Sequence, residues 1–170
     1  MVQLACGSSD PVDLDSDEEQ TQIVTDFTFV QSSGGERSWI LESDWAHYTE
    51  GDSVLLLPGV EVTFFESDVP ETSLLGDSGR IEIQDGLMRV WGNVRIETEG
   101  RSLVAPEIEW REETEMFCSD CLVVLTVTTD SSIAGYQGVG IDLNINLDVV
   151  DNLEIRDAFH AEYSKTDDSR

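Results

Sequence analysis

Between Ile81 and Ile96 the apolar residues fall on alternate positions: Ile81 and Ile83, then, beyond a turn at Gly86, Met88, Val90, Val94 and Ile96. Charged or polar side chains fill most of the places between them. In an extended chain successive side chains point to opposite faces, so this run specifies a strand pair with one apolar face and one wet face. The pattern returns along the chain. Val60, Val62 and Phe64 alternate with Glu61 and Thr63, Ile108 and Trp110 sit among Glu107, Glu109 and Arg111, and Leu143, Ile145 and Leu147 alternate with Asn144, Asn146 and Asp148. Turn formers punctuate these runs at Gly34-Gly35, Gly51-Asp52, Pro58-Gly59, Asp68 to Pro70, Gly76-Asp77-Ser78-Gly79, Asp85-Gly86, Glu99-Gly100, Asp130 to Ser132 and Asp151-Asn152. Such spacing favours short antiparallel strands, and a helical turn competes only at Leu41 to Tyr48 and Leu153 to Tyr163. A parallel sheet covered on both faces would read as continuous apolar runs instead. The expected class is all-β, an antiparallel meander folded into a sandwich or an open, twisted jelly roll.

A chain of 170 residues, 39% of them hydrophobic, can bury one core. Residues 1–22 are too polar and acidic to order their backbone and predict a leash, residues 23–160 the β domain, and residues 161–170 a disordered tail. No stretch is apolar enough to span a bilayer as a helix. With 36 acidic and 9 basic residues the net charge is −27. That excludes nucleic acid as a partner and opposes attraction to an anionic membrane surface. The surplus of carboxylates serves solubility and equally suits a salt-rich milieu in which they are screened.

Little in the chain carries reaction chemistry. Cys118-Ser119-Asp120-Cys121 is a C-x-x-C, but it lies between Met116-Phe117 and Leu122-Val123-Val124, in strand surroundings, whereas a redox motif uses a helix N-terminus to lower a thiol pKa. A disulfide between Cys118 and Cys121, across a tight turn, is geometrically open in an oxidising compartment. Zinc would need two more ligands, and His47 and His160 are far apart in sequence. Glu107 and Glu109 share one strand face, yet among so many acids such pairs arise by chance, and the solvated face is the default. No phosphate loop or nucleophile elbow is present, and Gly135-Tyr136-Gln137-Gly138-Val139-Gly140 lacks the strand and helix context of a dinucleotide site. The expectation is a non-enzyme with no catalytic residues, no metal and no cofactor.

An ordered set of short motifs resembles a known family. Trp39-Ile40-Leu41 with Ala46 and Tyr48 opens it, and Val60, Phe64 and Leu74 to Arg80 follow. Then come Leu87-Met88-Arg89-Val90-Trp91-Gly92-Asn93-Val94, Glu99 to Leu103, Glu107-Ile108-Glu109-Trp110, Met116 to Leu125, and Ala134 to Gly138 leading to Asp142. This order resembles LptC, the periplasmic component of the lipopolysaccharide-export ABC transporter, over about Phe27 to Phe159. Gly76 stands where the family's turn usually has Ala, and the chain lacks the N-terminal membrane helix of many relatives. Leu4-Ala5-Cys6-Gly7 in turn resembles the end of a bacterial lipoprotein signal, with Cys6 as the lipidated residue, although Gln3 and the few residues before it do not supply the usual apolar core.

The resemblance implies an LptC/OstA-like jelly roll. It would take lipopolysaccharide from the inner-membrane permease subunits and pass it to a periplasmic bridge protein by edge-strand pairing. It implies a periplasmic location against the inner membrane, held there by a lipid on Cys6 or by the transporter. It would make Ile81, Ile83, Met88, Val90, Val94, Ile96, Ile108, Trp110, Leu143, Ile145 and Leu147 an acyl-chain groove, although the same residues could equally fill a closed core. Thr25 to Val30 would form the edge facing the membrane complex, and Leu143 to Ile155 the edge facing the bridge. Two alternatives stay open: the soluble LptA/OstA-like bridge itself, or an acidic cell-surface β-sandwich that binds carbohydrate or calcium. The last would show a closed core and a cleft lined by converging carboxylates.

Overall fold

The computed structural model describes residues 21–49, 54–130, 132–148 and 160–165. These form nine strands: β1 Thr21–Ser33, β2 Glu36–Thr49, β3 Val54–Glu66, β4 Val69–Glu82, β5 Leu87–Thr98, β6 Arg101–Arg111, β7 Met116–Thr129, β8 Ser132–Asn144 and β9 His160–Lys165. Every strand pairs antiparallel with its neighbours in sequence, giving one sheet in the order β1 to β9. The all-β expectation holds. The sheet is not closed into a barrel, and β1 and β9 form its two edges.

The main strands are long, 11 to 14 residues, because they run straight through places that read as turns. Pro58-Gly59 lies inside β3, and Gly76-Asp77-Ser78-Gly79 lies inside β4. Cys118 to Cys121 lies inside β7, so the tight turn expected there is replaced by a bulge in one continuous strand. Leu41 to Tyr48 is strand too, and β9 crosses the boundary expected at residue 160. Thr21 and Gln22, expected to end the leash, begin β1; Gly51-Asp52, Asp151-Asn152, Cys6 and residues 1–20 of the leash lie outside the described residues.

Apart from the shifts near strand ends at Gln31/Ser32 and Phe64/Phe65, the irregularities within the strands share one line. Register shifts fall between Leu75 and Ser78, Trp91 and Val94, Val104 and Glu109, and Ser119 and Leu122. The left-handed residues Asp26 (φ 52°), Gly59 (59°), Gly92 (78°), Asn93 (49°) and Gly140 (75°) fall on the same line in β1, β3, β5 and β8. Each bulge bends its own strand and sharpens the local twist, so bulges aligned across neighbouring strands crease the whole sheet. Ladder bonds lost there are replaced by side chains. The Ser43 hydroxyl lies against the carbonyls of Trp45 (2.9 Å) and Pro58 (2.5 Å), Asn93 Nδ2 donates to Asp77 Oδ2 at 2.6 Å, and Ser119 Oγ donates to the Glu107 carbonyl at 2.8 Å. Gly76 permits the close approach, since a Cβ there would lie 2.3 Å from Val90 Cγ1.

The crease divides the sheet into two leaves whose apolar faces meet. Phe64, on the leaf that carries residues 60–66 of β3, packs against Trp110 at 4.7 Å and Phe117 at 5.1 Å on the other leaf. Around them Leu41, Val62, Leu74, Met88, Val90, Val94, Ile96, Leu103, Ile108 and Leu143 are fully buried. Opposite the crease, side chains fasten the free margins of the leaves. Gln31 Nε2 donates to Glu112 Oε1 at 2.6 Å, and Thr72 Oγ1 donates to the Ile145 carbonyl, also at 2.6 Å. Arg101 donates to the Asn146 carbonyl at 2.9 Å and pairs with Asp148.

Candidate functional site

The two faces of each strand set two candidate sites, the apolar interior between the leaves and a polar cleft on the outer surface. The interior collects most of the residues expected to line a groove. Ile81, Met88, Val90, Val94, Ile96, Ile108, Trp110, Leu143 and Leu147 are all at most 4% exposed. On β5 the intervening Arg89, Asn93, Arg95 and Glu97 are exposed on the opposite face. Two residues depart. Ile83 lies in the β4–β5 turn, 45% exposed, because the strand ends at Glu82. Ile145 is half-buried.

The alternation around Ile145 has a different origin from the one its sequence suggests. Asn144 Oδ1 accepts the amides of Asn146 (3.0 Å) and Asp148 (2.8 Å), and Leu147 adopts φ 56°. This side-chain cap ends β8 and turns the chain out of the sheet. Leu143 thus reaches the core from the end of β8 and Leu147 from the turn beyond it, so the strand expected from Leu143 onward stops at Asn144. Residues 149–155 lie outside the described residues, and the edge opposite β1 is β9.

The interior is packed. Large side chains absent from the expected groove, Trp39, Leu41, Leu74, Phe117 and Leu125, complete the core. A cavity of about 50 Å³ remains at the fastened margin, lined by Phe29, Gln31 and Trp39 from one leaf and by Ile81, Met88, Trp110 and Glu112 from the other. Trp39 and Trp110 are each 4% exposed, and neither indole Nε1 has a hydrogen-bond partner among the described residues.

On the outer surface, β5 to β8 carry a cleft of about 540 Å³ lined by Arg89, Glu107, Glu109, Arg111, Cys118, Ser119, Asp120, Cys121, Gly140 and Asp142. Its centre is Glu109. Arg89 reaches it at 2.7 Å and Arg111 at 2.6 Å. Burial pulls its carboxyl upward, but the two guanidinium hydrogen bonds and charges outweigh that and hold it below the usual 4.5. Arg89 also lies 3.4 Å from Glu107, so both carboxylates are matched by arginines.

Cys118 and Cys121 are free thiols on the same cleft, with no disulfide between them. Residues three apart on a regular strand face opposite ways, and the bulge at Ser119 to Leu122 is what brings both to one side. Burial pushes the Cys118 thiol up to about 12, and its contact with the Asp142 carboxylate adds to this. Such a thiol stays protonated and is a poor nucleophile. Among the described residues no three His, Cys, Asp or Glu side chains are placed to hold a metal. No described helix is long and apolar enough to cross a membrane.

Comparison with known proteins adds no constraint: no protein-family model matches the chain, and no curated protein matches it.

Proposed function

We propose that this protein is a non-enzymatic lipid carrier of the LptC/OstA-like kind, an open, twisted jelly roll. In this reading it accepts lipopolysaccharide from inner-membrane permease subunits and passes it to a periplasmic bridge protein. The observation that carries this reading is the way the leaves are joined. One sheet supplies both walls of an apolar interior, and the margin opposite the crease is held by side-chain hydrogen bonds, with no strand ladder across it among the described residues. Each such bond is worth about 1 kcal/mol net. An acyl chain entering between the leaves gains roughly 0.8 kcal/mol per methylene buried, so a chain of about a dozen carbons outweighs several fastenings. Separating the margins leaves the β1-to-β9 ladder intact. The edges suit strand addition by partners, since β1 carries Ile23, Val24 and Val30 exposed and Asp26 as its single charged residue. The protein would work in the periplasm at the inner membrane, with Cys6 as its lipid anchor. The bridge protein is the variant of this reading that needs no anchor.

A second reading has an observation in its favour. The packed interior and the carboxylate-lined outer cleft are the features expected of an acidic sandwich that binds carbohydrate or calcium. Against it, no aromatic side chain lines the cleft to stack on a sugar ring, and Glu107 and Glu109 are already paired with arginines.

A photo-crosslinker at Val94 or Ile108 distinguishes the two. During ATP-driven export from membranes carrying the transporter, the carrier captures lipopolysaccharide at these inward positions. Labelling confined to outward positions such as Arg95 or Glu109 would sink the carrier reading.

A further inference from the structure

Residues 145–148 stand apart from the sheet they follow. The last rung between β8 and β7 is Asn144 opposite Met116, and beyond it these four residues have no strand partner among the described residues. Their backbone closes on itself instead. The Leu147 amide donates to the Asn144 carbonyl at 2.9 Å, and Asn144 Oδ1 accepts the amides of Asn146 and Asp148. A turn bonded internally in this way can move as one piece, whereas a strand must break its ladder to move.

The turn is tied to the facing leaf by two residues. Thr72, opposite Phe64 in the β3–β4 ladder, donates to the Ile145 carbonyl at 2.6 Å. Arg101 donates to the Asn146 carbonyl at 2.9 Å and pairs with Asp148. The piece therefore spans the margin from one leaf to the other, and it carries a plug. Leu147 is 1% exposed within the core, and Ile145 is partly buried against the same cluster. Leu147 also holds φ 56°, a left-handed conformation that a bulky side chain keeps only where its surroundings impose it. Burial draws this residue in while its backbone strain favours release. The Gln31–Glu112 fastening is of another kind, because Gln31 belongs to the β1–β2 ladder and takes no core side chain with it when its hydrogen bond breaks.

We propose that residues 145–148 form a strap that gates the interior. Freed from Thr72 and Arg101 it hinges at Asn144 and withdraws Leu147, and the tip of an acyl chain takes the place that Leu147 leaves. The strap rests on the carrier reading and gives it an entrance: cargo enters end-on beside β8 while the leaves and the Gln31–Glu112 fastening stay closed. The end of a hydrocarbon chain matches a leucine side chain in apolar character, so the exchange keeps the core filled and strands no polar group.

Stopped-flow fluorescence of the full chain mixed with N-phenyl-1-naphthylamine, an uncharged probe that brightens in apolar surroundings, provides the test. Gating makes the wild-type uptake rate level off at high probe concentration, at the rate of strap release. In T72V and in R101Q, each lacking one hold on the strap, that plateau is expected to rise about 3- to 10-fold. L147A raises it too. L143A removes the same side chain from the ladder-bound end of β8 and leaves the plateau unchanged, which separates loss of the plug from loss of packing. Equal plateaus in L143A and L147A, unaltered plateaus in T72V and R101Q, or a wild-type rate that climbs without levelling would overturn the strap and leave the carrier reading standing. Failure of the wild type and all four variants to take up the probe overturns both.

Discussion

The thiol of Cys118 illustrates how position within a strand sets chemistry at the scale of one residue. It is 8% exposed beside Asp142, and it titrates near 12 where an unperturbed thiol titrates at 9.0. Folding raises this pKa, so the associated stability is complete below about pH 9 and drains as pH climbs toward 12, by at most about 1.4 kcal/mol per unit. Chemical denaturation followed across that alkaline range should show a declining limb for the wild type that C118A flattens. An unchanged limb in C118A would refute the assignment. Iodoacetamide at neutral pH should label Cys121 well before Cys118, read by peptide mass. Glu109 behaves in the opposite sense. Its lowered pKa contributes stability above about 4.5 that is lost as pH falls through the folded value, and urea midpoints in E109Q should lose that acid-side slope.

At the scale of the element, the crease depends on glycine where the strands come closest. A methyl on Gly76 would meet Val90 Cγ1, so G76A should cost about 1–3 kcal/mol in a urea melt. Shortening the partner in G76A/V90A should recover part of the loss; a double variant that is merely the sum of two losses would place the strain elsewhere. The crease also explains what could be read from the sequence and what could not. Alternation identified the inward residues of β3, β5 and β6, because burial on one face acts on every second side chain. Pro58-Gly59 looked like a chain reversal because a bulge and a turn make the same local demand for positive φ, and Gly76 to Gly79 because glycines that admit the close approach of Val90 and Val60 read like those of a turn. Only the partner strands distinguish them. Ile145 and Leu147 imitated a continuation of the strand that holds Leu143, since the Asn144 cap that ends β8 also spaces apolar residues by two. The outward cleft and the small cavity between the leaves had no linear signature: Trp39 and Trp110 come to line one cavity only after the sheet has folded onto itself.

Across the whole molecule the dominant fact is charge. The net charge of −27 is spread over a surface on which all six arginines among the described residues already hold ion pairs. Exposed pairs of this kind contribute little each, and the remaining carboxylates repel one another. Neutral salt screens the repulsion, so the melting temperature should rise as sodium chloride increases from low ionic strength. A melting temperature that falls or stays flat would mean that the pairs outweigh the repulsion.

The order of the strands carries one more consequence. Since β1 to β9 pair strictly in sequence, each strand finds its partner in the segment just made, and loop closure stays short at every step as far as β8. A chain emerging from a narrow exit with its N-terminus first can therefore build the sheet one hairpin at a time, without waiting for its C-terminal residues. Closing the leaves is different, because Gln31 must wait for Glu112 and Thr72 for Ile145. Assembly thus separates into an early zippering of the ladder and a late clasping of its margins, and the clasp formed last is the one a cargo would have to undo.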